Sequence, residues 1–197
     1  MKTADILSAI CFVTSNQGKV DELQSVLPLI SRVDIDLPEI QAIDSREVIA
    51  VKLTEARRRL PASAIIVEDT ALHLGCLNGF PGALIKWLLH SVGCQGIYDL
   101  CMRMGGFEAQ ACTVLGYLAE DSDVPLYFDG TLNGTICSPK GERGFGWDPI
   151  FVPHGHHKTL AEMEEAELVA IKMRRIAAEK LAVHLRDGIG STGCVRP

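Results

Sequence analysis

The chain lacks any apolar run as long as a membrane-spanning helix requires. It also lacks a leader pattern. MKTADILSAICFV has an early Lys, but Asp5 interrupts the apolar stretch and no small-residue cleavage site follows, so the segment reads as the lead-in to a first strand. There is no CxxC pair. The seven cysteines (Cys11, Cys76, Cys94, Cys101, Cys112, Cys137 and Cys194) are odd in number, irregular in spacing and mostly set in apolar runs. That argues against a disulfide framework and for a reducing, cytoplasmic setting, and no local signature marks any of them as a nucleophile. Basic residues are not in excess either: 19 Lys and Arg stand against 25 Asp and Glu, a net charge of -6. Broad binding to nucleic acid needs a basic face and is disfavoured. A small anionic substrate stays compatible, given a local cluster of cations or a metal ion to offset the carboxylates. Internal repeats and low-complexity segments are absent.

What is present is an ordinary globular composition, 47% hydrophobic and 22% charged over 197 residues. This fits one domain spanning residues 1–197, with a real core and room for two lobes. Ala9–Thr14 reads as a short buried strand, and Gly18–Leu27 as a helix with Val20, Leu23, Val26 and Leu27 on one face and Pro28 as its stop. A short strand at Arg32–Asp36 leads to Leu37-Pro38-Glu39, and a second helix runs from Glu47 to Leu60. Ala64–Val67 reads as a buried strand ending at Glu68-Asp69-Thr70. A glycine-rich turn, LGCLNGFPG, precedes helical pieces at Leu84–His90 and Ile97–Met104. Ala109–Ala119 and Leu126–Ile136 read as long strands joined by the turn EDSDVP, an antiparallel hairpin. The loop SPKGERGFGWDP leads to a brief strand at Ile150–Val152 and the loop HGHHKT. Glu162 to about Leu185 reads as the last helical region, and DGIGSTGCVRP as a loose tail. Alternating elements followed by a hairpin give a mixed α/β domain with a sheet at its centre.

Four constellations carry possible chemistry. In Thr14-Ser15-Asn16-Gln17-Gly18-Lys19, a strand passes through a polar turn into a helix. Unpaired N–H groups at a helix start favour an anion, and Lys19 adds a cation where the helix dipole disfavours one. Capping by Ser15 or Asn16 explains the same polar residues without a ligand. Glu39, Glu68 and Asp69 fall at element ends, where α/β sheets collect ligands, and suit Mg²⁺, which pairs a few carboxylates with substrate oxygens. Asp69 and Thr70 as simple turn caps are the alternative. Gly144-Phe145-Gly146-Trp147-Asp148-Pro149 can stack a flat base and bond its edge, or be a turn buried by its aromatics. Lys172, Arg174 and Arg175 can reach a polyanion, or form a solvated helix face. His154, His156 and His157 follow no zinc spacing and read as an exposed loop.

Taken in order, FVTSNQGK, DLPE, VEDT, GFPG, IKW and FGWDP resemble the inosine triphosphate pyrophosphatase family, from about Cys11 to Arg174. The resemblance implies a long, curved, mixed β-sheet flanked by helices, with two lobes and an active-site cleft between them. It implies Mg²⁺-dependent hydrolysis of non-standard purine nucleotides (ITP, dITP, XTP) to monophosphate and pyrophosphate by a cytosolic homodimer, without a nucleic-acid or membrane partner. Matched position by position, it places Thr14, Ser15, Asn16, Gln17, Gly18 and Lys19 on phosphate, with Lys52 and Lys86 facing the triphosphate. It places Glu39 and Asp69 on the metal, with Asp69 helping to activate water beside Glu68 and Thr70. It places Phe145, Gly146, Trp147 and Asp148 around the base, with Arg174 near it.

After FGWDP the family usually reads E-K-x-A-x-S-H-R, whereas this chain has Leu168, Lys172 and Met173 where the Lys, Ser and His would stand. An apolar group in place of a hydrogen-bonding one discriminates poorly. Lys172, one helical turn from 168, is expected to restore part of the lost charge. Two alternatives therefore accompany the main reading: a nucleotide pyrophosphatase of relaxed or shifted base specificity, and a nucleotide-binding protein with little turnover.

Overall fold

The computed structural model describes residues 10–28 and 30–191, with side chains as far as Asp187. The lead-in at residues 1–9, Cys194 and residues 192–197 of the expected loose tail lie outside the described residues. The first half is parallel. β1 (Ile10–Val13) lies between β2 (Ser31–Val33) and β3 (Ala64–Leu74), both running in its own direction. Parallel neighbours need crossover connections. Helix α1 (Gln17–Gln24) supplies the first and α2 (Ser45–Arg59) the second. From β3 onward every pairing is antiparallel. A two-residue β4 (Pro81–Gly82) and β5 (Glu108–Leu118) pair with β3, β6 (Leu126–Ile136) with β5, and β7 (Phe151–Pro153) with β6. The result is a mixed seven-stranded sheet in the order β2-β1-β3-β5-β6-β7, with β4 off this path. It is the mixed α/β architecture expected from the residues.

One boundary differs. β3 does not stop at Val67: it runs eleven residues, through Glu68, Asp69 and Thr70 to Leu74. Its register with β5 is unbroken from Ile65↔Leu118 to Leu74↔Ala109, so the ladder carries the polar triplet along. The paired part of β1 ends at Phe12↔Ile66, and β3 extends past it. The carboxylates therefore sit mid-strand, just beyond the carboxyl end of β1.

Three apolar clusters pack the sheet. Ile10, Phe12, Ala64, Ile66 and Leu115 meet Val20 and Leu23 of α1 and Ala177, Ala178 and Leu181 of the last helix, α5 (Met173–Ser191). The opposite face, with Val13, Ile65, Val67 and Val114, meets Ile49, Leu53 and Ala56 of α2. A third cluster fills the far end. There Leu72, Leu74, Ala109 and Ala111 meet Trp147, Phe151 and helix α3 (Ile85–Met104). The two helical pieces expected at Leu84–His90 and Ile97–Met104 form this one helix, kinked at Gly93, whose φ of 67° and ψ of 178° are not helical.

The last helical region is two helices, not one. A short α4 (Glu165–Val169) ends before α5 begins, and α5 continues beyond Leu185 to Ser191. The break has a packing cause. Leu168 and Ile171 pack into the far-end cluster, while Ala177, Ala178 and Leu181 pack into the first. One straight helix cannot serve both. Lys172, at the break, still donates its backbone N–H to the Leu168 carbonyl at 3.0 Å and so lies one turn from 168, as expected. The six described cysteines are free thiols, and among the described residues no helix is long and apolar enough to cross a membrane. Residues 154–157 are exposed, with His154 Nε2 3.2 Å from Glu108 Oε2.

Candidate active site

A cleft of about 1350 Å³ opens where β3 passes the end of β1, and its wall holds the polar turn, the carboxylates and the GFGWDP loop. At one end lies the turn after β1. Asn16 is the N-cap of α1, its Oδ1 accepting from Lys19 N at 3.2 Å, and Asn16 N donates to Thr14 Oγ1 at 3.2 Å. Capping is thus real. It leaves Lys19, whose Nζ lies 3.0 Å from Glu68 Oε1.

Successive residues of a strand face opposite sides of a sheet. Because β3 continues through the triplet, Glu68 and Asp69 point to different layers. Glu68 faces α1 and α5, with its side chain only 2% exposed. Lys19 reaches it from α1. From α5, Arg174 clamps it through Nε and through Nη2 at 3.0 Å, while Nη1 pairs with Glu22. Burial pushes the Glu68 carboxyl up, but the Lys19 ammonium and Arg174 guanidinium outweigh it and hold it at about 2. Thr70 Oγ1 also donates to Glu68 Oε1 at 3.3 Å.

Asp69 faces α2. Ser45 Oγ donates to its Oδ2 at 2.6 Å, and Lys52 Nζ lies 3.8 Å from Oδ1. Burial dominates here and lifts the carboxyl above its ordinary range, against the pull of Ser45 and Lys52. Lys52 is 10% exposed and also meets Glu39 Oε1 at 3.2 Å; the exposed Lys86 lies 3.6 Å from the other Glu39 oxygen. Burial raises Glu39, but the two lysines carry it below its ordinary value. Glu39, Lys52 and Asp69 thus form a chain of alternating charge along one wall.

At the other end, Phe145 projects into solvent at 72% exposure. Phe145 N donates to Asp148 Oδ2 at 2.6 Å, and Gly144 and Gly146 hold the positive φ values of 90° and 57° that this tight turn demands. Burial pushes the Asp148 carboxyl up to about 6, against the Phe145 amide and the Lys172 charge. Trp147 is 3% exposed and packs edge-on against Phe151, with ring centroids 5.6 Å apart. It supports the loop from the core, although it is among the residues that line the cleft. Lys172 Nζ pairs with Glu165 Oε1 at 2.7 Å, so its charge is engaged at the cleft wall.

The site residues expected from the family resemblance all line this cleft except Gln17, which faces away toward Arg32; Arg175, also singled out from sequence, is outside it and pairs with Glu179. Arg174 reaches its wall from the Glu68 side, held by two carboxylates. Sequence reasoning missed Glu22 and Ser45. Glu22 stands three residues after Lys19 on one helix face, a spacing that could have flagged it. Ser45, at the start of α2, carried no such signal.

Comparison with known proteins gives the family and the fold. The model of the Ham1 family matches residues 10–184. The inosine triphosphate pyrophosphatase of Schizosaccharomyces pombe is 38% identical over 89% of this chain and 94% of its own length. The dITP/XTP pyrophosphatase of Methanopyrus kandleri is 35% identical over 91% of this chain and 97% of its own. The Staphylococcus aureus Ham1 protein superposes with a TM-score of 0.72 at 26% identity, covering 91% of this chain and 99% of that one. A HAM1 protein from Coxiella burnetii shares the fold with a TM-score of 0.76 at 24% identity, over 90% of this chain and 98% of its own. With the family model spanning the cleft from the first strand to the last helix, the chain belongs to the Ham1 family.

Proposed function

We propose that this chain is a nucleoside-triphosphate pyrophosphohydrolase that converts non-standard purine nucleotides such as ITP, dITP and XTP to the monophosphate and pyrophosphate. The observation that carries the reading is one cleft with a cationic, amide-bearing end at Thr14–Lys19, Lys52 and Lys86, and a flat-ring end at Phe145–Asp148. The names of the relatives point the same way.

Glu39 and Asp69 fit a divalent cation. Both are hard oxygen donors on one wall, Lys52 lies 3.2 and 3.8 Å from them, and burial leaves Asp69 short of positive charge. Among the described residues no cluster of three His, Cys, Asp or Glu assembles, so further ligands would come from phosphate and water, the habit of Mg²⁺. Mg²⁺ bound there supplies positive charge that offsets the triphosphate and polarises its phosphoryl oxygens. The chain's own residues do the rest. The turn amides, Thr14, Ser15 and Lys19 bind phosphate oxygens. Lys52 and Lys86 neutralise charge that grows on the departing pyrophosphate. Asp69, its basicity raised by burial, takes a proton from water attacking the innermost phosphorus. Phe145 stacks the base and Asp148 accepts from its edge. Glu68 stays ionised and orients Lys19.

Relaxed base specificity is the second reading, and Leu168 favours it: it packs into the far-end apolar cluster and offers the base no donor. A single domain over residues 1–197, a cytoplasmic location and a homodimer complete the proposal; the first is supported by all seven strands joining one sheet, the second by free thiols, the third by the family resemblance alone. Light scattering of the purified chain tests the dimer.

The decisive experiment incubates the protein and Mg²⁺ with ITP, XTP, dITP, dUTP, ATP and GTP and separates the products by ion exchange, with Asp69→Asn beside it. Monophosphate and pyrophosphate from ITP, dITP and XTP, lost in Asp69→Asn by about a hundredfold or more, is the expected result. Equal turnover of all six substrates would mean relaxed specificity. Binding without any monophosphate would replace the enzyme by a nucleotide-binding protein.

A further inference from the structure

Strand β2 has three residues, and Arg32 at its centre turns back onto the phosphate turn. Arg32 Nε donates to the Thr14 carbonyl at 3.3 Å, Nη2 to the Ser15 carbonyl at 3.1 Å, and Nη1 to Gln17 Oε1 at 2.9 Å. Nη2 also meets Asp34 Oδ2 at 2.8 Å. A guanidinium is planar and holds its donors in a fixed fork, so one side chain spans two successive carbonyls. Thr14 N donates to Val33 O at 3.1 Å, which keeps the turn against β2.

In a trans peptide the carbonyl and the following N–H point in opposite directions. Fixing the Thr14 and Ser15 carbonyls on Arg32 therefore turns the Ser15 and Asn16 amides away from it. Thr14, Ser15, Asn16, Gly18 and Lys19 line the cleft, and Arg32 does not. Two carbonyl acceptors are held at the back of the turn and the Ser15 amide is left toward the cleft, while the Asn16 amide is taken by Thr14 Oγ1 and the Thr14 amide by Val33. That polarity is what an anion needs, since a carbonyl swung inward would repel it. The Arg32 charge itself is offset by Asp34, so its contribution is geometric.

We propose that Arg32 is a positioning residue of the phosphate site, which keeps the Ser15 amide, the Thr14 and Ser15 hydroxyls and the first amides of α1 presented to a triphosphate by holding the turn's carbonyls behind it. This rests on the cleft being a nucleotide site. The ion pair and hydrogen bonds are partly exposed and contribute little to global stability, so the fold tolerates their loss.

The test compares the parent with Arg32→Met and Arg32→Lys. Binding of inorganic pyrophosphate with Mg²⁺ is followed by calorimetry, KM and kcat are measured on ITP, and each protein is melted. Arg32→Met is expected to weaken pyrophosphate binding and raise KM by about tenfold, the scale of a sub-ångström misplacement, with kcat less affected. Melting should shift by only a few degrees. Arg32→Lys keeps the charge but cannot span two carbonyls, and is expected to behave like Arg32→Met. Parental affinity in Arg32→Met overturns the proposal. Parental affinity in Arg32→Lys also overturns it, since charge alone would then suffice. Should Arg32→Met fail to fold, folded Arg32→Lys decides by the same criterion. A parent that binds pyrophosphate but turns over no nucleotide would sink the enzymatic reading, and the clamp would be judged by calorimetry alone.

Discussion

Glu68 is a buried carboxylate held by two cations, and removing it would leave both uncompensated. Glu68→Gln is expected to cost about 3 kcal/mol at pH 7, read from urea unfolding. The pH dependence has a definite sign. The folded carboxyl sits at about 2, below its ordinary 4.5. Its contribution is complete above the ordinary value and is lost as pH falls toward the folded one. The gap between parent and Glu68→Gln should therefore close below about pH 4.5; a gap as wide at pH 3 would refute the assignment. Asp148 behaves oppositely. Held at about 6, it is a charged acceptor above that pH and neutral below it. If it accepts from the base, kcat/KM for ITP should fall below about pH 6, and Asp148→Asn should abolish that inflection. At this scale the residue types were legible in the sequence, but their orientation was not. Glu68 and Asp69 read as one adjacent pair, because alternation applies only if the strand continues. Arg174 resembled a base-reading residue by position. Its partners Glu68 and Glu22 lie 106 and 152 residues away, beyond any local pattern.

At the scale of elements, the hairpin of β5 and β6 was the clearest part of the sequence. Two apolar runs flank a turn-rich sextet, and the strands fall within a residue of expectation. The second half of β3 was hidden because Glu-Asp-Thr is a turn signal in isolation, and only pairing with β5 overrides it. The division of the last helical region was hidden for a similar reason: two clusters compete for its apolar residues. How α5 reaches the sheet rests on one glycine. A Cβ at Gly130 of β6 would overlap the Met173 carbonyl and lie 2.9 Å from Ala177 N, both backbone atoms of α5. Gly130→Ala should push the start of α5 off the sheet, costing about 3 kcal/mol. It should also draw Arg174 away from Glu68. The check is a melt together with turnover at a temperature where the variant remains folded. Full turnover in a folded Gly130→Ala would mean that the Arg174 clamp is dispensable.

Across the whole molecule, the cleft is walled by elements from each apolar cluster, so a ligand that fills it bridges all of them. A ligand that binds only the folded state stabilises it by mass action. A non-hydrolysable ITP analogue with Mg²⁺, at about a hundred times its Kd, should add about 2.7 kcal/mol and raise the melting temperature measurably. A chain whose melt ignores the analogue would lack the nucleotide site. The mixed sheet and the ends of the cleft could be foreseen from motif order. The alternating charges of Glu39, Lys52 and Asp69 could not, because they depend on which face of the sheet each side chain takes.

The ion cluster around Glu68 also dictates when the site can exist during synthesis. Lys19 and Glu22 leave the ribosome before Glu68, but Arg174 is made 106 residues after Glu68 and 152 after Glu22. Until then Lys19 alone pairs with Glu68, the guanidinium that ties Glu68 to Glu22 is missing, and the nascent polypeptide holds the parts of a nucleotide site without its keystone. A message truncated before codon 174 would yield a protein with most of the recognisable motifs and an unassembled centre.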